Sequence, residues 1–394
     1  MKSTKTNNEG SFKVHIKVFG IGGGGGNAIS RMSGANEFKS VHFVAVNTDA
    51  QDLDKCSAKT KIHIGKNLTR GLGTGMNPEL GRQAAEENRS ELVEAGKSAD
   101  LVFITAGLGG GTGSGAAPIM AEIAKEQGAL TIAIVTKPFT FEGSQRSRVA
   151  DEALIKLREK VDALIVVPND RIFTVIKKDT PLLKAFERID DILRDAISGI
   201  TDLIASVGII NVDFADVKAI MKDAGSALIG VGMAAGQNRA VSAVNQALNS
   251  PLLEFSTEGA RGVLFGVSGG RDLKMTEIND IAKHITANVD PSAKIIFGAY
   301  QDRRLRKGTL KVTLIATGFS GQLRGGGDLA SLSNLFSSRT EMEAPPSVAL
   351  PLREKIERES ERKSSPKEDK REKVFEKKKS DTWEIPAFLR KKKH

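Results

Sequence analysis

Only one cysteine, Cys56, occurs in the 394 residues. A single thiol excludes an internal disulfide and any cysteine-based zinc site. The chain also lacks a run of 18 apolar residues, although 40% of it is hydrophobic, so no segment has the length to cross a bilayer as a helix. The opening stretch, "MKSTKTNNEGSFKVH", has none of the apolar character of a secretory signal, and the expected location is the cytoplasm. The pattern G-x-x-x-x-G-K-[ST] is absent, which sets aside a P-loop nucleotide site. Zinc-finger, RNA-stacking and basic-zipper patterns are missing too. The formal charge is +10, but residues 339–394 hold 17 Lys/Arg against 12 Asp/Glu, which is half of the excess. A basic balance placed in a low-complexity tail does not point to nucleic acid.

What the chain has is alternation. From about residue 12 to 170, apolar strand-like runs ("VHIKVFG", "VHFVAVNTD", "LVFITAG", "LTIAIVTKP", "ALIVVPND") alternate with helix-like segments. Continuous apolar strands separated by amphipathic helices predict a parallel sheet covered on both faces, a doubly wound α/β domain. A long helix is expected from Pro181 to Ala205, with Ala185, Ile189, Ile192, Ala196, Ile200 and Leu203 on one stripe and Pro181 in its first turn. A second, smaller α/β unit follows. It reads as helical stretches, then the strands "GVLFGVSGG", "KIIFGAYQ" and "LKVTLIATGF", with a helix near 275–289. The expected division is 1–11 disordered, 12–180 nucleotide-binding domain, 181–206 central helix, 207–336 C-terminal α/β domain, 337–380 linker and 381–394 terminal peptide. The linker is mostly charge and cannot bury enough surface to offset ordering, although a single charged helix is the alternative. "DTWEIPAFLRKKKH" places Trp383, Ile385, Phe388 and Leu389 at the end of that tether, either as a frayed terminus or as a short motif for a partner groove.

The glycines are concentrated. "GLGGGTGSG" (Gly107–Gly115) and "GIGGGGGN" (Gly20–Asn27) each follow a strand and precede a helix. Residues without Cβ let a backbone come close to an anion, and the helix beyond adds its positive end. Gly110, Gly111, Thr112 and Gly113, with Ser114, and Gly23, Gly24, Gly25, Gly26 and Asn27 are the candidate phosphate cradle, with Pro118 in the first turn of the second helix. Gly20, Gly22 and Gly25 also satisfy G-x-G-x-x-G, and Asp49 stands near the position of a ribose-binding acid, so an NAD-dependent oxidoreductase is the rival. Two loops suit the longer phosphate chain of a nucleoside triphosphate. A third, "GLGTGMNPE" (71–79), has the composition to close over the terminal phosphate.

"GGGTGSG", "GGGGGNA", "AVNTDAQ", "GLGTGMNPE", "KPFTFEG" and "NVDFADV", in this order, with the terminal "EIPAFLR", resemble the tubulin/FtsZ family of bacterial cell-division GTPases. The resemblance covers residues 12 to about 320 and the last dozen. It implies GTP as substrate, GDP as product, Mg²⁺ on the phosphates, head-to-tail polymers of the chain at the mid-cell division site, and FtsA-like membrane anchors held by residues 381–394.

Four further groups remain open between bland and functional readings. Phe186 and Asp190, four apart, share a helix face. A carboxylate there accepts from guanine's N1–H and amine and opposes adenine's N1, while Phe186 stacks; the bland alternative is a surface acid, and the resemblance favours the guanine role. Glu142 and Arg146 make a favoured helix ion pair, and the resemblance implies contact with ribose and phosphates. Asn169 offers a polar contact after its strand. Asp213 and Asp216 are three apart around Phe214, with Val217 following. Asp213 as a plain N-cap is the bland reading. The resemblance implies that Asp213 and Asp216, with Asn211, position water in the site of the next subunit. A polymerising GTPase and a non-hydrolysing nucleotide-binding scaffold both remain compatible with these residues.

Overall fold

The computed structural model describes residues 14–319, except 35–37, 39, 178, 206–207, 251–256 and 303. The expected N-terminal segment, the linker and the terminal peptide lie outside the described residues.

In chain order the first half runs β1 (Ile16–Ile21), α1 (Gly22–Ser33), β2 (Val41–Asn47), α2 (Ala50–Lys55), β3 (Thr60–His63), α3 (Lys66–Thr69), α4 (Pro78–Glu87), α5 (Arg89–Gly96), β4 (Leu101–Gly107), α6 (Gly111–Glu126), β5 (Leu130–Lys137), α7 (Ser144–Lys160) and β6 (Ala163–Pro168). A 3-10 helix (Asn169–Thr174) leads to the long α8 (Leu182–Ala205). The second half is α9 (Phe214–Met221), β7 (Gly225–Ala235), α10 (Arg239–Leu248), β8 (Gly262–Gly269), α11 (Met275–Thr286), β9 (Lys294–Gln301) and β10 (Thr309–Thr317).

The ten strands form one sheet in the order β3-β2-β1-β4-β5-β6-β7-β10-β8-β9. The first six are parallel throughout. Their order reverses between β1 and β4, the switch point where the loops diverge and leave a crevice beyond the carboxyl ends. The β1–α1 and β4–α6 connections, which carry the two glycine stretches, flank that crevice.

Alternate strand residues feed two cores. Ile16, Val18, Phe43, Leu101 and Phe103 pack on one face with α1 and α8; Phe19, Ile21, Val44, Val46, Val102 and Ile104 pack on the other with α4, α6 and α7. The expected stripe of α8 is buried at Ala185, Ile189, Ala196, Ile200 and Leu203, with Ile192 half-buried. The first core continues through α8 to Leu264, Tyr300 and Ile315 of the second half. Between the halves the sheet is thin: β6 meets β7 at only two register pairs, Ala163↔Gly225 and Leu164↔Ser226.

Three expectations change. Residues 225–235 form β7, not part of a helical stretch. "GSALIGVGMAA" lacks the β-branched density of a strand, and its antiparallel ladder with β10, from Thr309↔Ala235 to Thr317↔Ala227, decides its state. Pro118 lies inside α6, well past its first turn. The run Gly22–Gly26 is itself the start of α1, and only residues 108–110 form a loop before α6. Helical glycine is costly, and close packing compensates. A methyl group at Gly25 would overlap the Thr105 carbonyl oxygen and sit 2.8 Å from the Gly20 carbonyl carbon. Gly25→Ala should therefore destabilise the fold by about 1–3 kcal/mol, the range for overpacking. A calorimetric melting temperature equal to the parent's would contradict this.

Candidate nucleotide site at the switch point

The crevice is built from three glycine segments that touch one another. Gly22 lies against Gly113 and Thr112, and Gly24 against Gly107. The third segment joins them through hydroxyls: Thr112 Oγ1 lies 2.7 Å from Thr48 Oγ1 and 3.3 Å from Thr74 Oγ1, and all three threonines are buried. Asp49 bridges to Leu72, and the Ala50 amide donates to Gly71 O. Gly111 packs so tightly on Thr74 and Asn77 that a Cβ there would strike that segment first. Gly110, in contrast, faces open space.

Of the named glycines, Gly23 and Gly26 are half-buried and Gly24 is exposed with Asn27, while Gly25, Gly111 and Gly113 are buried. The buried ones act through packing and through their amides at two helix N-termini. Neither N-terminus is capped by a side chain, which leaves amides free for an anion. Asp49 caps α2, its Oδ1 accepting the Asp52 amide at 3.0 Å. That use counts against a ribose-binding acid and against the dinucleotide reading.

The strand-end loops of β5 and β6 form the next wall. Glu142 and Arg146 pair at 2.6 Å, but across a kink at Gly143 (φ 97°), not within one helix. Glu142 Oε1 also accepts the Phe139 amide at 2.9 Å. Gly109 (φ 92°) brings its loop against the Arg146 carbonyl, so the pair borders the cradle. Asp170 accepts the Thr140 amide and hydroxyl and ties the two loops together. Asn169 Oδ1 is buried and makes no hydrogen bond. A buried acceptor without a partner is costly unless a ligand satisfies it.

Phe186 and Asp190 project from the first turns of α8. Phe186 is exposed and meets buried Phe139 edge-on, with ring centroids 5.8 Å apart. Asp190 is mostly buried and pairs with Arg31 Nε of α1 at 2.9 Å. Burial raises its carboxyl to about 6, with Arg31 pulling the other way. The site thus offers two free helix N-termini, an open glycine, an orphaned amide oxygen and a carboxylate beside an aromatic ring. These fit a nucleoside phosphate.

Residues 15–177 match the GTPase domain of the Tubulin/FtsZ family, and residues 225–320 match the C-terminal domain of the FtsZ family. The solved empty FtsZ dimer from M. jannaschii is 46% identical, with a TM-score of 0.73, covering 78% of this chain and 89% of that one. The chain belongs to the FtsZ family. It carries the family's GTPase domain and is a GTPase. A point mutant of M. jannaschii FtsZ matches at the same identity and TM-score, over 78% of this chain and 92% of that one. CetZ2 from Haloferax volcanii, solved as a GTPγS-bound protofilament, shares the fold at 22% identity and a TM-score of 0.67, over 79% of this chain and 95% of that one.

In this FtsZ-family chain the acids of "NVDFADV" stand apart from the glycines. Asp213 occupies the N-cap position of α9 through its backbone, yet its carboxylate makes no capping bond. It is exposed and Asp216 is half-exposed, while Val217, Ile220 and Met221 anchor α9 in the core. Asn211 Oδ1 accepts the Gly208 amide at 2.6 Å. The loop is braced on β9: Ile210 and Ala299 exchange backbone hydrogen bonds, and buried Tyr300 donates its hydroxyl to Leu203 O at 2.9 Å. Sequence reasoning missed Arg31, the Thr48–Thr112–Thr74 hydroxyl cluster and the Asp170 tie. The threonines and Asp170 stand in segments the sequence already singled out, but their partners are at least 30 residues away, and local patterns do not show such pairings.

Proposed function

We propose that the chain hydrolyses GTP at junctions between subunits stacked head-to-tail, and that such filaments form the scaffold of a division ring. One observation carries this reading. α8 has 24 residues, so it is roughly 36 Å long. The base readers stand at its start and the Asn211–Asp213–Asp216 group beyond its end. From Phe186 to Ala205 alone the axis advances about 29 Å. This separation supports a reading in which the acids serve the nucleotide of a neighbouring subunit, not their own. Set against the exposed face of another copy, they meet its triphosphate. The two surfaces differ, so stacking need not close.

In this reading the backbone amides of Gly23, Gly24, Gly110 and their neighbours hold the phosphates, while Glu142 and Arg146 border the ribose and Asn169 supplies an acceptor. Phe186 and Asp190 read guanine. Mg²⁺ arriving on the phosphates would neutralise their charge. Asp213 and Asp216 orient and polarise the attacking water. The relatives solved as a dimer and as a protofilament support assembly. The terminal peptide, residues 381–394, is the proposed handle for an actin-fold membrane anchor, and among the described residues no helix is long and apolar enough to cross a membrane itself.

The deciding experiment is GTP turnover per subunit against protein concentration. Shared sites predict a steep rise above a threshold. Turnover per subunit that is constant on dilution would mean that each monomer is complete.

A further inference from the structure

We propose that Arg31 is the positioning residue that sets base specificity, holding Asp190 as a pinned anion so that the site accepts guanine and refuses adenine. This rests on the reading of Asp190 as the base-recognising group.

The geometry is one-sided. Arg31 Nε engages Oδ2 at 2.9 Å, and its Nη1 is 3.7 Å from Glu187 Oε1. The Asp190 side chain is 15% exposed, whereas Arg31 is 40% exposed, so the acid is the buried partner and the cation reaches it from the rim. A carboxylate oxygen accepts two hydrogen bonds. Arg31 approaches Oδ2, and among the described residues no hydrogen bond engages Oδ1.

The anion has little else to hold it. Burial pushes Asp190 up to about 6, and Asp191 and Glu187 on α8 push the same way. α8 packs most extensively on α1, β7, the 3-10 helix and β5, and its own Arg188 and Arg194 pair with Asp191. α1 carries no charge but Arg31, and β7 carries none. β5 contributes Lys137, which pairs with Asp151, and the 3-10 helix contributes Arg171 and Asp170, the latter bound to Thr140. Arg31 is the cation that faces the carboxylate.

The protonation state decides which base fits. An ionised carboxylate only accepts, and guanine presents N1–H and an amine, two donors in a row. A protonated carboxyl donates through one oxygen and accepts through the other. Adenine presents an acceptor at N1 beside an amine donor, the complement of that neutral group. Loss of the cation thus does more than weaken GTP binding; it turns the reader toward the competing purine.

The test is calorimetric titration of the full-length protein with GTP and with ATP between about pH 5 and about pH 9, using Arg31→Met, Arg31→Lys and Asp190→Asn. The parent should lose GTP affinity as pH falls through about 6. In Arg31→Met the titration moves upward; once it lies above the working pH, GTP affinity at about pH 7 should fall about tenfold for each further unit. ATP affinity should rise there, and GTP binding should recover at about pH 9. Arg31→Lys should track the parent. If Arg31→Met weakens GTP and ATP equally at every pH, the arginine is only a structural contact and the proposal fails. If Asp190→Asn leaves the preference for GTP over ATP intact, the reading of Asp190 fails first. If Asp190→Asn abolishes the preference and Arg31→Met preserves it, the inference alone is wrong.

Discussion

Asp216→Ala should bind GTP like the parent and hydrolyse it about a thousandfold more slowly, within the range lost when a positioned acid–base group is removed. Binding survives because Asp216 lies on α9, beyond the end of α8, while the cradle, the Glu142–Arg146 pair and Phe186 gather at the switch point. Folding survives because the side chain is half-exposed and α9 is held by Val217, Ile220 and Met221. The informative step is mixing. On the proposed reading, Asp190→Ala should damage base recognition and leave the acids whole. Where an Asp190→Ala subunit presents its acids to the nucleotide of an Asp216→Ala subunit, the junction is complete, and a mixture of two weak enzymes should turn over GTP faster than either alone. Measured phosphate release that merely averages the two would show that hydrolysis is not shared.

Gly110→Val should abolish GTP binding while leaving the protein folded. The position has no atom within 4 Å of where a Cβ would stand, so an apo chain accommodates the larger residue. It is also the residue before α6, at the mouth of an uncapped N-terminus. A branched side chain there fills the volume that an anion needs to reach the amides. A loss of about 3 kcal/mol or more, a hundredfold and beyond in affinity, is expected. Gly111→Val is the contrasting variant: its Cβ strikes Thr74 and Asn77, so it should lower the melting temperature as well. Filter binding and circular dichroism on both variants separate the two causes. Near-parental GTP affinity in Gly110→Val would remove the phosphate role from this turn.

The parallel half of the fold was legible because its strands are buried on both faces and carry continuous apolar runs; "LVFITAG" became β4 from Leu101 to Gly107. β3, with four residues, and β7, built of glycine, alanine and few branched residues, carry little local signal and take their state from neighbours already in place. The glycine segments were legible as strand-to-helix junctions, but their density had two causes. Some glycines face open space, as at Gly110. Others let a helix lie against a strand, as at Gly25, and sequence alone does not separate the uses. The partners of Asp190 were illegible for a plainer reason: Arg31 is 159 positions earlier in the chain, and only the packing of α1 on α8 brings them together.

The apolar face of α8 belongs to both halves. The core it organises takes Ile16, Phe43 and Phe103 from one side and Leu264, Tyr300 and Ile315 from the other. The strand seam supplies just two register pairs. The molecule is therefore not two modules on a tether, and it does not dissect cleanly. A fragment ending before Leu182 would bear an open apolar trench along the parallel sheet; one beginning after Ala205 would leave the mirror-image trench bare. Keeping the helix on either piece covers that piece alone and strands the helix's remaining apolar flank in water. Fragments for expression, or a split reporter, belong in a surface connection on one side or the other and never at the boundary that the chain's motif order suggests.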